Sequence, residues 1–255
     1  MTEQRIVCHF SAGAASAVTT KIVLSEYPRD RVVILNAFLS REHEDSQRFL
    51  RDCEAWFDHP ITQLRDEKYG ADPFEVWRRR RFIKNRNGAP CSKALKRDVL
   101  ERAHLPGDIY ALGYTSEEQD RYDLWLDANH PQRAIAPLID RNLSKSDCLA
   151  MIERAGIRLP QMYLDGFNNN NCIGCCKGGE GYWNKIRVFY PEVFEEFAQI
   201  QDQLGPSSYI FRNRKTGERF SIRDLDPTAG RHDEPEISCS IFCEMAANDL
   251  EDGLK

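Results

Sequence analysis

Residues 31–38 read RVVILNAF, a nearly continuous run of β-branched and apolar side chains. A strand that is apolar on both faces must be covered on both, as in an interior strand of a parallel sheet flanked by helices. That run predicts an α/β protein, and the sequence around it agrees. Residues 5–10 read as a strand, 11–16 as a turn of small residues and 17–26 as a helix. A helix is expected over 44–57, with Phe49, Leu50, Cys53 and Trp56 on one stripe, and a short third strand over 61–64. Next come a helix from Pro73 to Lys84, a helix over 93–102, and strands over 108–113 and 134–137. Ser144 and Asp147 are spaced as a capping box for a helix over 144–155. This alternation predicts an open, mostly parallel sheet with helices on both faces.

After Ile157 the pattern changes. An Asn-rich cysteine segment, with Asn168 to Asn171 as turn formers, is followed by helices over 182–204 broken at Pro191. A hairpin over 209–223 turns at Lys215-Thr216-Gly217, and the acidic final stretch holds Cys239 and Cys243. We read residues 1–160 as a nucleotide-binding α/β domain, and 161–255 as a cysteine-containing helical and hairpin extension packed on it. A chain of 255 residues buries a full core without disulfides. No apolar run reaches the roughly 18 to 20 residues of a membrane span, and no signal-peptide pattern is present, so a cytoplasmic protein is expected. The net charge of −5 argues against broad electrostatic binding of nucleic acid. A local basic run does exist, at Arg78 to Arg81 with Lys84 and Arg86.

The turn Ser11-Ala12-Gly13-Ala14-Ala15-Ser16 lies at the carboxyl end of the first strand. Small residues there let backbone N–H groups approach an anion while the next helix offers its N-terminus. The turn is neither a P-loop nor GxGxxG, and a plain βα turn is the competing interpretation. His9, just before it, reads as structural.

Nine cysteines without a secretion signal point to a reducing compartment, where thiols act as metal ligands or redox groups. Cys172-Ile173-Gly174-Cys175-Cys176-Lys177-Gly178-Gly179 contains a C-x-x-C able to bind zinc, hold an iron–sulfur cluster or work as a dithiol. No second C-x-x-C completes a zinc knuckle, and the βαβ context of a thioredoxin site is missing. Cys8, Cys53 and Cys148 sit among apolar neighbours and read as core.

Four ordered segments together resemble the adenine nucleotide α-hydrolase (PP-loop) superfamily and its phosphoadenylyl-sulfate (PAPS) reductase-like family. Residues 10–16 are similar to its pyrophosphate loop, Ser-Gly-Gly-x-x-Ser. Pro90-Cys91-Ser92-Lys93-Ala94-Leu95-Lys96 resembles a Cys-x-x-x-Leu-Lys segment, and residues 112–121 a Gly-x-x-x-x-Glu-x-x-x-Arg segment. Pro137-Leu138-Ile139-Asp140, Ser144, Asp147, Leu159-Pro160, Tyr163, Gly166 and the C-x-x-C follow as in its closing stretch. The chain departs from the pattern in having Ala12 in the loop, Ala15 where ATP-cleaving members have Asp, Ser92 in place of a tandem cysteine, and no Glu-Cys-Gly triplet.

The resemblance implies an adenine nucleotide, ATP or a relative, on Ser11, Ala12, Gly13, Ala14, Ala15, Ser16, Gly113 and Glu117, with Mg2+ as a further candidate. It brings Cys91 to Cys172 and Cys175 as ligands of a [4Fe–4S] cluster, with zinc or free thiols as alternatives and Cys176, Cys239 or Cys243 as a fourth ligand. Arg121 is implied at phosphate or substrate. Cys239 or Cys243 falls where the reductases keep a mobile catalytic cysteine, against a half-buried structural pair as the alternative. The expected activity is ATP-dependent adenylation and thiolation of a nucleic-acid substrate, tRNA or DNA. A thioredoxin-dependent adenylyl-sulfate or PAPS reductase and a non-catalytic nucleotide-sensing module are the alternatives, and a homodimer is a further expectation. Glu42, His43 and Asp45 either meet ribose or a metal or open the next helix. Tyr182 and Trp183 either stack on a base or belong to the core. One or two of Arg78 to Arg81, or Lys93, Lys96 and Arg97, could reach a phosphate, with Lys177, Lys185 and Arg187 as a second basic group.

Overall fold

The computed structural model describes residues 4–85, 88–230 and 237. Strands β1 (Ile6–His9), β2 (Val32–Ala37), β3 (Ile61–Leu64), β4 (Ile109–Ala111) and β5 (Arg133–Ile135) form one parallel sheet in the order β3-β2-β1-β4-β5. Helices α1 (Ala14–Glu26), α2 (Asp45–Phe57), α3 (Pro73–Arg80), α4 (Pro90–Ser92) and α5 (Asp98–Glu101) are interleaved with these strands, a π-helical stretch over Lys93–Arg97 joining α4 to α5. They are followed by α6 (Gln119–Asn129), α7 (Pro137–Asp140), α8 (Lys145–Arg154), α9 (Gln161–Leu164), α10 (Glu180–Phe189) and α11 (Pro191–Leu204). A two-residue ribbon, β6 (Phe211–Arg212) with β7 (Arg219–Phe220), closes the hairpin expected around Gly217.

Period-two alternation of fully buried residues explains the two-faced sheet. Ile6, Cys8, Val32 and Ile34 pack with α1, α2 and α8, where Cys53 and Cys148 are also buried. Val7, Leu35 and Tyr110 face the other layer with Leu100 and Trp125. Strand order reverses between β1 and β4, so a crevice opens at the carboxyl ends of those two strands, where ligands of open α/β sheets bind.

A second core combines Phe74, Trp77 and Ile83 with Met162, Trp183, Ile186 and Phe197, so α3 belongs to the packing of the carboxyl-terminal helices. Arg41, just past β2, ties these parts together. Its guanidinium binds Asp72 at 2.9 and 3.0 Å and Glu196 at 2.6 and 2.9 Å, and it lies 4.2 Å from the ring centre of Phe74.

Several boundaries differ from the sequence expectations. α3 stops at Arg80 because Arg81 is left-handed, with φ 52°. Pro137 opens α7 rather than ending β5. On α2 it is Phe57 that is fully buried, and Trp56 only packs at its edge. The capping box of Ser144 and Asp147 forms as read, with the Asp147 N–H 3.1 Å from Ser144 Oγ.

Candidate functional site

The crevice is a cleft of about 1250 Å3, including its solvent-facing mouth, and the loop after β1 forms one wall. Ser11, Gly13, Ala14, Ala15 and Ser16 line it; Ala12 is buried behind them. Ala12 is left-handed, with φ 55°, a conformation that a Cβ makes costly by about 1 to 2 kcal/mol. This is the loop position where the family's pattern has Gly, so the departure at Ala12 leaves the backbone path in place. Ser16 Oγ accepts from the Ser11 N–H at 3.1 Å and donates to the Gly13 carbonyl at 2.9 Å, holding the turn closed on itself. Asn170 Nδ2 donates to the Ala12 carbonyl at 2.8 Å, and the Ala14 N–H donates to Tyr163 Oη at 3.2 Å. The Asn-rich segment, read as turn formers, thus contributes a buried clamp that joins the loop to the cysteines.

Gly113 lines the cleft beside the loop, where a Cβ would stand 3.2 Å from both Cα and N of Ser16. Arg121 lines the cleft, paired with Glu118 and lying 5.2 Å from the ring centre of Tyr114. Glu118, not Glu117, lines the cleft beside Arg121. Glu117 turns aside to Thr115 and the Lys145 backbone, hydrogen bonds that hold its carboxyl below the usual range although burial opposes this. Lys145 lines the cleft and donates to Asn169 Oδ1 at 2.8 Å. Glu42 lines it too, whereas His43 accepts from the Asp45 N–H at 3.0 Å and Asp45 binds Arg48 at 2.6 Å, so these two open α2.

His9, read as structural, stands at the cleft. Its Nε2 is 2.8 Å from Nε2 of His104. The arginine run does not reach the cleft: Arg78 binds Glu196, Arg79 binds Glu75, and Arg80 Nε donates to Tyr69 Oη at 3.2 Å.

Cys91, Cys172, Cys175 and Cys176 line a second, more enclosed cavity of about 390 Å3 with Leu39, Phe74 and Trp77. Cys91 comes from α4, and its side chain is hydrogen-bonded to that of Cys176. This contact, with burial, pushes the Cys176 thiol well up. Tyr182 builds the loop around itself. Its hydroxyl donates to the Cys172 carbonyl at 2.8 Å and accepts the N–H groups of Gly174 and Cys175, both at 3.0 Å. Gly178 is required beside it, since a Cβ there would lie 2.0 Å from the Tyr182 ring. Tyr182 and Trp183 therefore serve the core rather than a base. Lys84 sits near Cys175 and Cys176, and burial lowers its pKa.

Four thiols around one apolar cavity are the donor chemistry that iron–sulfur clusters and zinc take, so the donor set fits a thiolate-held group. Among the described residues no three His, Cys, Asp or Glu side chains converge in the arrangement that holds a single ion. Cys239 and Cys243 lie outside the described residues.

Lys96 is buried, 8% exposed, and lines both the cleft and the thiol cavity. It is five residues past Cys91, on the π-helical stretch, a widening often found at functional sites. Helical periodicity alone does not reveal that placement, which depends on the π turn.

No protein-family model matches the chain. The chain is similar to an argininosuccinate synthase from Methanopyrus kandleri, 27% identical over 172 residues, which cover 61% of this chain and 42% of that protein. The chain thus spans about two fifths of the relative's length. The likeness, with the five-stranded parallel sheet, supports the PP-loop superfamily and does not extend to its PAPS reductase-like family. Among the described residues no helix is long and apolar enough to cross a membrane.

Proposed function

We propose that this chain is an ATP-using enzyme of the PP-loop type that adenylates an oxygen of a nucleic-acid substrate and replaces it with sulfur. The observation that carries this is Lys96, a cation shared by the wall of the nucleotide cleft and the wall of the thiol cavity. The similarity to argininosuccinate synthase, a PP-loop ATP pyrophosphatase, supports the use of ATP. Loop residues 11–16 and the N-terminus of α1 receive the phosphates. A substrate oxygen attacks the α-phosphorus, the bond to the β-phosphate oxygen breaks, and pyrophosphate leaves. Lys96, Arg121 and Lys145 meet the negative charge that develops. Mg2+ on the phosphates would face Glu42 and Glu118, the carboxylates lining the cleft. A hydrosulfide ion, the sulfur co-substrate, then bonds to the carbon as the carbon–oxygen bond breaks, and AMP leaves with that oxygen. A [4Fe–4S] cluster on Cys91, Cys172 and Cys175, with Cys176 as the nearest further thiol, would supply the iron that holds such a sulfur.

Incubation of anaerobically purified protein with ATP, inorganic sulfide and tRNA or DNA tests this. AMP and pyrophosphate released in step with thiolated product support it, and release of neither overturns it.

One observation favours a second reading, a thioredoxin-dependent adenylyl-sulfate or PAPS reductase. Ile237, two residues before Cys239 in sequence, lines the cleft, and its carbonyl accepts from Asn171 Nδ2 at 3.2 Å. Sulfite release that is lost in Cys239→Ser or Cys243→Ser would select the reductase.

A further inference from the structure

Tyr69, in the turn after β3, is buried with Leu39, Val76, Leu95 and Cys172 in an apolar cluster that Cys91 joins. Leu39, Leu95, Cys91 and Cys172 also line the thiol cavity, so Tyr69 belongs to the packing around it. Three cations surround the same ring. Lys68 Nζ is 5.3 Å from its centre, Arg80 Cζ 5.7 Å and Arg79 Cζ 5.8 Å. Arg80 Nε also donates to the phenol oxygen at 3.2 Å, and Arg79 Nη1 donates to the Lys68 carbonyl at 2.9 Å. Arg65 precedes this turn and Arg81 caps α3, and all five basic residues are exposed. Cations suit a helix C-terminus, which accounts for Arg79 and Arg80 at the end of α3. It does not account for Lys68, which reaches the same ring from a separate segment. Among the described residues the carboxylate paired with this group is Glu75, on Arg79. Glu67 is exposed in the turn, and Asp66 is buried, accepting the Tyr69 N–H at 2.7 Å. Attraction to the ring face offsets part of the repulsion among these like charges, and an anion that spans them offsets more.

We infer that Arg65, Lys68, Arg79, Arg80 and Arg81, gathered around Tyr69, bind the sugar–phosphate backbone of the nucleic-acid substrate. Contacts of this kind position a nucleic acid without reading its sequence. The ring that gathers the cations shares its apolar cluster with Cys91 and Cys172, so a strand held there lies beside the thiol cavity. A lipid surface is the poorer match: Phe74, Val76 and Trp77 turn the apolar face of α3 into the core, which leaves none of it to enter a bilayer. The inference rests on the nucleic-acid substrate proposed above.

The test is fluorescence anisotropy of labelled tRNA and labelled duplex DNA titrated with the full chain over a range of salt concentrations. Lys68→Gln with Arg80→Gln is expected to weaken binding about tenfold and to lower the slope of log affinity against log salt by about 1 to 2. Lys68→Arg with Arg80→Lys keeps the charges and is expected to stay within about threefold of the wild type. Arg214→Gln with Lys215→Gln removes the same charge from the exposed turn between β6 and β7 and is expected to stay within about twofold. ATP affinity should be the same in all of them. Unchanged affinity and slope in Lys68→Gln with Arg80→Gln, an equal loss in the Arg214 and Lys215 pair, or a parallel loss of ATP binding would overturn the inference. So would wild-type binding to phosphatidylserine vesicles tighter than to either nucleic acid. Wild-type binding that survives the Lys68 and Arg80 substitutions removes this inference alone, whereas wild-type protein that binds neither tRNA nor DNA removes the nucleic-acid reading with it.

Discussion

Gly113 lies against the backbone of Ser16, so close that a Cβ at 113 would stand 3.2 Å from the Ser16 nitrogen and Cα. The end of β4 therefore sets how far the loop after β1 can open. Gly113→Ala requires the loop to give by a few tenths of an ångström, and Gly113→Val by more. Overpacking of this kind costs about 1 to 3 kcal/mol. ATP titration should show Gly113→Ala weakened about tenfold and Gly113→Val more, with unfolding by urea changed less than binding. Equal affinities in all three would show that the contact does not shape the loop.

Ala12 carries two opposing terms. Its left-handed φ of 55° disfavours a Cβ, while its buried methyl adds to the core. Each is about 1 kcal/mol, so Ala12→Gly should lie within about 0.5 kcal/mol of the wild type in urea unfolding. Ala12→Val places a β-branched residue where φ is positive and should lose about 2 to 3 kcal/mol.

These two residues also show what the sequence makes legible. Runs of apolar residues point directly to buried strands, so 31–38 predicts β2, and the order of motifs points to the loop, to Gly113 and to the four thiols. Contacts between distant segments leave no such local trace. Asn170 reads as a turn former and instead binds the Ala12 carbonyl. His9 reads as a strand end until His104, 95 residues away, stands 2.8 Å from it. Glu118 takes the place expected of Glu117 because the turn before α6 rotates one of them away.

Glu196 joins Arg41 and Arg78, with oxygens 2.5 to 2.9 Å from their nitrogens. Burial alone would raise its pKa, but the two guanidinium groups outweigh that and hold it below the usual glutamate value. A carboxyl depressed in the folded state stabilises fully above its unfolded pKa, and that stability is lost as pH falls through the folded one. Glu196→Gln should therefore lose about 1 to 2 kcal/mol at neutral pH. Its deficit should shrink below about pH 4, where the wild type loses the same charge. Urea unfolding across pH checks both.

Lys96→Met should lower the kcat of ATP-dependent AMP release about 100-fold, because a preorganised cation would be lost where charge develops. The metal content of the thiol cavity should stay that of the wild type. Loss of both together would make Lys96 a structural support rather than a link between cleft and cavity.

The most direct test is the visible absorption spectrum of protein purified without oxygen, with iron, sulfide and zinc measured on the same sample. A cluster held by Cys91, Cys172 and Cys175 predicts a brown protein with stoichiometric iron and sulfide, lost on Cys91→Ser and on Cys172→Ser. A colourless protein carrying stoichiometric zinc, or no metal, would contradict it.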